Sequence, residues 1–255
     1  MARNVTSLSE LKTAFDELLS ANSIFRGVNS KTQLLPKLVR DNDYSKKEYA
    51  MLKAFERYYG LYSTANNCWE FIALAQHCGL MTRLIDFTNN PYVALFFSLH
   101  NKKEDGEEYM IYALEQKNCK VIYDTVINDP VYNPHTGTLT LEKALFEIDA
   151  SYCDILKSEF EKLKKKSAVY IVKPNYRNQR MLMQQGLFVV PTKAAKNSII
   201  DTIYKNAEVL VIGDEIRDAA LSYLEKLGYD EFHLMPDLVS VCSEINHKVS
   251  SNDKR

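Results

Sequence analysis

The 255-residue sequence predicts a single-domain α+β protein with a mixed or antiparallel sheet core and several packed helices. Its content of 46% apolar and 25% charged residues is typical of globular proteins and argues against disorder or fibrous structure. Helical patterns and short apolar extended runs both occur along the chain. No repeat, low-complexity stretch or Pro- or Gly-rich linker divides the sequence, so one domain is the simplest interpretation.

Helix starts in the first half of the chain are marked by capping residues. At three of them a capping side chain is followed three residues later by a glutamate, the pattern of a capping box. At the fourth, an asparagine precedes a proline, which favours the first helical turn because it has no N–H to leave unpaired. The predicted helices begin at Ser7, Ser45, Asn67 and Asn90. Gly79 is well placed to end the third.

The remaining elements follow from apolar periodicity. Strands are predicted at 24–28, 81–87, 109–114, 120–123, 168–172, 187–190 and 209–212. Helices are predicted at 151–166 and at about 197–205, 214–227 and 237–247. Residues 124–150 give no clear pattern, and we expect them to form an insertion over one face of the domain.

Charge and hydropathy narrow the classes of function. Lys and Arg number 32 against 33 Asp and Glu, so the net charge of −1 argues against a nucleic acid partner, which usually requires a basic excess. No apolar stretch reaches the roughly 18–20 residues that span a bilayer, and the first residues lack the apolar core of a signal peptide. The five cysteines are scattered without a C-x-x-C pair. We therefore expect a soluble cytoplasmic protein with reduced thiols, no membrane association and no metal.

Arg26 is the first candidate for a functional residue because it lies inside an apolar strand. Burying a guanidinium group costs several kcal/mol unless it is paired and hydrogen-bonded, so it requires a ligand or a protein partner such as Asp86 or Glu48. The next residue, Gly27, has no side chain, which would allow a ligand to approach the backbone closely.

A second group of polar residues lies around the predicted strand 81–87. Gln76 and His77 close the preceding helix, although a single histidine is often structural. Within the strand, a period of two places Arg83 and Asp86 on opposite faces, so each needs its own partner or ligand. The next helix begins at Pro91, and its N-terminal N–H groups would favour an anion near Thr88.

A third patch precedes the apolar strand at 187–190. Arg180 and Gln184 lie there, and the amide of Gln184 either recognises a ligand or is a solvated turn residue. Familiar cofactor motifs are absent from the sequence, including the phosphate-binding P-loop, the dinucleotide-binding G-x-G-x-x-G, the nucleophile elbow and the H-E-x-x-H zinc helix.

Together these patches resemble the FRG domain family. Phe25-Arg26-Gly27 matches the motif after which the family is named, and residues 74–88 resemble its most specific block. Residues 180–188 resemble a later R…Q-x-G-x-F motif, and residues 235–238 the closing F-P-D-L. Cys78 and Met81 depart from the family's usual aromatic residue and proline. The resemblance implies an FRG domain over 24–245, preceded by an N-terminal helix (1–23) and followed by a polar tail (246–255).

The order of these parts also resembles, more weakly, the ADP-ribosyltransferase superfamily. That resemblance implies an ADP-ribosyltransferase-like fold with NAD as a substrate, and a role as a toxin or a defence effector, for example against phage. It implies catalytic roles for Arg26, His77, Asp86 and Gln184. Ligand-binding roles are implied for Gly27, Gln76, Arg83, Thr88 and Arg180. The partner would be a nucleotide-type small molecule or a protein target.

Two alternatives remain open at this stage. Gln184 occupies the position where the transferases commonly have a glutamate, and an amide cannot stabilise an oxocarbenium ion by charge. The same fold could therefore be a non-catalytic module that binds a ligand or a partner. A nuclease is the weaker alternative, because the charge is neutral and a pair of metal-binding carboxylates is missing.

Overall fold

The computed structural model describes residues 2–40, 42–62, 65–124, 151–164, 169–175, 179–191, 203, 205–236 and 242. Within these residues a mixed sheet of eight strands forms the centre of an α+β fold, as predicted. The strands are β1 (Ala2–Val5), β2 (Ser23–Val28), β3 (Ile85–Thr88), β4 (Tyr109–Glu115), β5 (Cys119–Asp124), β6 (Val169–Lys173), β7 (Gly186–Val190) and β8 (Ala207–Ile212). They are arranged in the order β1-β8-β4-β2-β3-β7-β6-β5, with parallel pairs at the two edges and antiparallel pairs between them.

The α-helices of the described part pack around this sheet. They are α1 (Leu8–Ser20), α2 (Lys37–Arg40), α3 (Glu48–Tyr59), α4 (Cys68–His77), α5 (Pro91–Leu99), α6 (Tyr152–Lys164), α7 (Gln179–Met183), α8 (Arg217–Lys226) and α9 (Glu231–Leu234). Short 3₁₀ turns lie at Lys31–Leu34, Ser45–Lys47, Gln116–Asn118 and Asp214–Ile216. None of the helices in this part of the chain is both long and apolar enough to cross a bilayer.

Most of the predicted caps are confirmed. The side chains of Ser7, Asn67 and Asn90 each accept a backbone N–H of the helix that follows. Gly79 follows the last turn of α4 with a φ of 94°, a left-handed conformation that a residue with a side chain rarely adopts. The predicted helix start at Ser45 is wrong, because residues 45–47 form a 3₁₀ turn and α3 begins at Glu48. The carboxylate of that glutamate bonds to another part of the chain, as described below.

Three apolar clusters form the core. On one face of the sheet, α1, α5 and α8 pack against β2, β4 and β8. The opposite face of the same strands is covered by the segment around α2, which contributes Leu34 and Leu38. Helices α3, α4 and α6 cover β6 and β7 through a cluster that includes Phe71 and Trp69. Burying such side chains stabilises the fold by about 1.5–3 kcal/mol each.

Strand pairing is least extensive at the centre of the sheet, where β2 meets β3. Ladder pairing between these strands is restricted to one position, Phe25 opposite Thr88, whereas β2 pairs with β4 along its whole length. The two strands therefore separate after Phe25, and the gap between them opens towards the residues predicted to form a site.

Several helices and strands differ in number or extent from those predicted from the sequence. Strand β1 and the short helices α2, α7 and α9, which have four or five residues each, were not predicted. The predicted strand 81–87 is shorter than expected, since only residues from Ile85 onwards join the sheet. The predictions for the insertion 124–150, the helix 237–247 and the tail 246–255 lie almost entirely outside the described residues. Of these positions only residue 124, which ends β5, and residue 242 are described. The helix at 197–205 is described only at residues 203 and 205.

Candidate functional site

A cavity of about 520 Å³ opens where β2 and β3 separate. Its walls come from β2, α2, α4, β3, α5 and α7, so segments far apart in the sequence meet there. The predicted site residues that line it are Arg26, Gly27, Gln76, His77, Asp86, Thr88, Arg180 and Gln184. The structure therefore brings together every predicted site residue except Arg83.

Positive charge dominates the walls of this cavity. Four cationic side chains line it, namely those of Arg26, Lys37, Arg40 and Arg180, whereas Asp86 supplies the only carboxylate among the described lining residues. The whole chain carries a net charge of −1, so the excess of positive charge is a local property of the cavity. A concave surface lined by charges of one sign focuses the electrostatic field and attracts ligands of the opposite sign.

Arg26 bridges the gap between the separating strands. Its Nη1 donates to the backbone oxygen of Asp86 at 2.5 Å, and its Nη2 donates to the backbone oxygen of Gln33 at 2.6 Å. Burial, and secondarily the nearby charge of Arg40, lower the pKa of Arg26 to about 10 although Asp86 opposes the shift. The guanidinium group therefore remains a cation at neutral pH. Its Nε is buried and has no hydrogen-bond partner in the described residues.

Gly27 has a packing role that the sequence did not reveal. A Cβ atom at this position would lie 1.7 Å from the backbone oxygen of Ala94, because α5 lies directly against β2. The close approach expected at Gly27 is thus made by the backbone of a helix. The glycine also lines the cavity, so it both allows α5 to pack and leaves the wall free of a side chain.

Asp86 is held in place but remains open to solvent. Its Oδ1 accepts a hydrogen bond of 2.8 Å from Nε2 of Gln76, and its Oδ2 lies 3.9 Å from Nη1 of Arg26. The side chain is nevertheless 70% exposed. A carboxylate that is fixed at one oxygen and accessible elsewhere can accept hydrogen bonds from a ligand.

Thr88 and Gln184 are largely engaged with the protein itself. The hydroxyl of Thr88 donates to the backbone oxygen of Gln184 at 2.6 Å and accepts the backbone N–H of Asn90. The amide nitrogen of Gln184 donates to the backbone oxygen of Leu234 at 2.8 Å, which ties α7 to α9. Since the side chain of Asn90 caps Tyr92, the N-terminus of α5 is also partly satisfied by the protein. The anion-binding corner expected near Thr88 is therefore less open than the sequence indicated.

His77 and Arg180 lie at the exposed edge of the cavity, on α4 and α7. Partial burial, and then the positive charge of Arg180, lower the pKa of His77 below its usual value. The imidazole makes no hydrogen bond to another described side chain. An anion bound between the two residues would reverse the effect of Arg180 and raise the pKa of His77.

Arg83 lies outside the cavity, contrary to the ligand-binding role expected for it. Its Nε and Nη2 donate to Oε2 of Glu48 at 2.8 and 2.5 Å, and both side chains are almost completely buried. The backbone N–H of Arg83 also donates to Glu48, and the guanidinium lies 3.6 Å from the ring centre of Phe160. The sequence correctly indicated that Arg83 needs its own partner, but that partner belongs to the protein.

Three further residues belong to the site although they were not among the expected site residues. Arg40 and Lys37 supply two of the four cations of the cavity. Arg40 is held by the backbone oxygen of Leu35 at 2.8 Å, and its position after Leu-Leu-Pro was a usable signal. Thr82 does not line the cavity, but its buried hydroxyl donates to Oε1 of Gln76.

The described residues contain no group of three or more His, Cys, Asp or Glu side chains able to hold a metal ion.

The fold and this cavity define the chain as an α+β protein with a cationic pocket at the centre of a mixed sheet. The FRG domain family model matches residues 21–107, so the chain contains an FRG domain, as the motifs predicted. The match includes β2 and the block around Asp86 but ends before Arg180 and Gln184, which join the site through the cavity alone. No curated protein and no solved structure matches the chain significantly.

Proposed function

We propose that the cavity between β2 and β3 binds a nucleotide of the NAD type. The observation that carries this proposal is the meeting of four cationic side chains and one exposed carboxylate in a single cavity of about 520 Å³. The volume lies within the range of about 300–1,000 Å³ that is usual for small-molecule sites. A ligand with both anionic groups and hydroxyl donors satisfies the two kinds of side chain at once, and a nucleotide has both.

The two arginines on the β2 side of the cavity support an anionic ligand. Arg26 and Arg40 both donate to the backbone oxygen of Gln33, at 2.6 and 3.3 Å, so their guanidinium groups are close neighbours. The carboxylate of Asp86 lies 3.9 Å from Nη1 of Arg26 and is itself mostly exposed. A diphosphate placed here would offset the repulsion between the two cations and could accept paired hydrogen bonds from a guanidinium group.

The chemistry we propose for this site is ADP-ribosyl transfer, in a toxin or defence effector that acts on a protein target. In that reaction the bond between nicotinamide and C1′ of the ribose breaks, its electron pair leaves with nicotinamide, and an acceptor nucleophile adds at C1′. Asp86 is the only carboxylate among the described lining residues. It is therefore the group able to stabilise the positive charge that develops on the ribose, a task that the amide of Gln184 cannot perform by charge.

A second candidate function is binding without turnover. It is favoured by Gln184, whose amide nitrogen is already bonded to the backbone of Leu234. In this case the cavity would hold the nucleotide as a signal or a structural ligand.

Calorimetric titration with NAD and ADP-ribose tests the binding proposal, and chromatography of released nicotinamide separates the two candidates. We expect Arg180→Gln to weaken binding about tenfold or more, as expected for one lost bond between charged groups. Lys117→Gln removes the same charge from a side chain that is 72% exposed and does not line the cavity, and it should leave affinity unchanged. If wild-type protein binds neither compound at millimolar concentration, the proposal is wrong. Binding without nicotinamide release would identify the second candidate.

A further inference from the structure

A relay of hydrogen bonds with a fixed direction runs from the backbone of Leu84 to the carboxylate of Asp86. We propose that this relay orients Asp86 to bind the ribose hydroxyls of the ligand. Thr82, which does not line the cavity, is then the positioning residue that fixes the orientation of the Asp86 carboxylate through Gln76. The inference rests on the proposed nucleotide site and names the part of the ligand that Asp86 recognises.

The direction of the relay follows from its first donor. The backbone N–H of Leu84 can only donate, and it donates to Oγ1 of Thr82 at 3.2 Å. The hydroxyl proton of Thr82 is then directed to its other partner, Oε1 of Gln76. With its oxygen engaged, the amide of Gln76 presents Nε2 to Asp86, and this nitrogen donates to Oδ1 at 2.8 Å. A reversed amide would place two acceptors, Oε1 of Gln76 and Oδ1 of Asp86, against each other.

The relay begins in the core and ends in the cavity. Thr82 is only 1% exposed, so its hydroxyl is shielded from water that could compete for the proton. Asp86, in contrast, has a side chain that is 70% exposed. Its backbone oxygen is held by Arg26 at 2.5 Å, so both the main chain and one carboxylate oxygen are fixed before any ligand arrives. Such preorganisation reduces the entropy that binding would otherwise cost.

A carboxylate fixed in this way selects a hydrogen-bond donor. Its neighbours Arg26 and Arg40 are suited to phosphate, whereas Asp86 would repel phosphate and accept hydroxyl groups. The 2′ and 3′ hydroxyls of a ribose are such a donor pair, and an acidic side chain commonly recognises ribose in dinucleotide sites. Each half of NAD contains a ribose joined through its 5′ oxygen to the diphosphate, and ADP presents the same unit. The geometry thus assigns the diphosphate to the arginines and the adjoining ribose to Asp86.

The test compares ADP with 2′,3′-dideoxy-ADP, which has the same base and charge but lacks both hydroxyls. Wild-type protein should bind ADP about tenfold or more tightly than the dideoxy compound, the effect of one hydrogen bond to a charged group. Thr82→Val removes the hydroxyl with little change of shape, and the ratio of the ADP affinity to the dideoxy-ADP affinity should fall towards one. Thr82→Ser keeps the hydroxyl and should keep the wild-type affinity ratio. Inorganic pyrophosphate, which has no ribose, should bind equally to all three proteins.

The outcomes separate this inference from the function on which it rests. If wild-type protein binds neither ADP nor pyrophosphate, the proposed nucleotide site fails. If it binds ADP and dideoxy-ADP equally, or if Thr82→Val keeps the wild-type ratio, the site stands and the relay is overturned. Should Thr82→Val fail to fold, Gln76→Met breaks the relay at the residue that donates to Asp86. The affinity ratio should then also fall towards one, and an unchanged ratio would again overturn the inference.

Discussion

Removing one charge of the buried pair between Arg83 and Glu48 should destabilise the protein strongly. The two side chains are 11% and 4% exposed and share two short hydrogen bonds, so either charge left alone would lose its partner without gaining water. Breaking a buried pair by removing one partner costs about 3–5 kcal/mol. For a chain of this length, the loss corresponds to a fall in melting temperature of about 6–10 °C.

The variants can be chosen so that the change is one of charge. Glu48→Gln keeps an oxygen that accepts the backbone N–H of residue 83, and Arg83→Met keeps an unbranched side chain against Phe160. We expect each single variant to lose about 3–5 kcal/mol. The double variant has no unpaired charge and should lose clearly less than the sum of the two single losses.

Thermal and urea denaturation followed by circular dichroism measure these losses. The reasoning is refuted if the single variants lose less than about 1 kcal/mol, the usual upper limit for an exposed pair, or if their losses simply add in the double variant. Nucleotide affinity provides a second measurement. Because Arg83 does not line the cavity, affinity should be unchanged in the folded double variant, whereas a loss would restore the ligand-binding role expected from the sequence.

Two further predictions concern the walls of the cavity. Gly27→Ala should abolish soluble folded protein, because its Cβ would overlap the backbone of Ala94, whereas Gly60→Ala meets no atom within 4 Å and should express normally. The pKa of His77 lies below its usual 6.5, so the unfolded chain binds the proton more tightly and stability should fall as the pH drops below about 6.5. Proton NMR titration should show that Arg180→Gln raises this pKa and that an added nucleotide raises it in the wild type. A pKa of His77 that neither change moves would place Arg180 too far away to form an anion site with it.

Local chemistry was sufficient for the parts of the fold that depend on near neighbours. Ser7, Asn67 and Asn90 cap their helices because each side chain needs only an N–H two or three residues away. The prediction failed at Ser45 for the opposite reason. Its expected box partner, Glu48, instead binds the guanidinium of Arg83, 35 residues further along the chain, and no local pattern indicates that partner.

The sequence by itself determined the α+β class, most of the helices and strands, and the set of polar residues that could not be left unpaired in an apolar setting. The tertiary structure decided which of them face a common cavity and which bond only to other groups of the protein. Arg26 lines the cavity and donates to the backbone oxygen of Asp86, 60 positions away, whereas Arg83 lies outside the cavity and donates to Glu48. The physical reason is that a polar side chain in an apolar stretch needs a hydrogen-bond partner once it is buried, and this need can be recognised from the neighbouring residues. The partner itself belongs to whichever segment the packing of the sheet and helices brings within hydrogen-bonding distance.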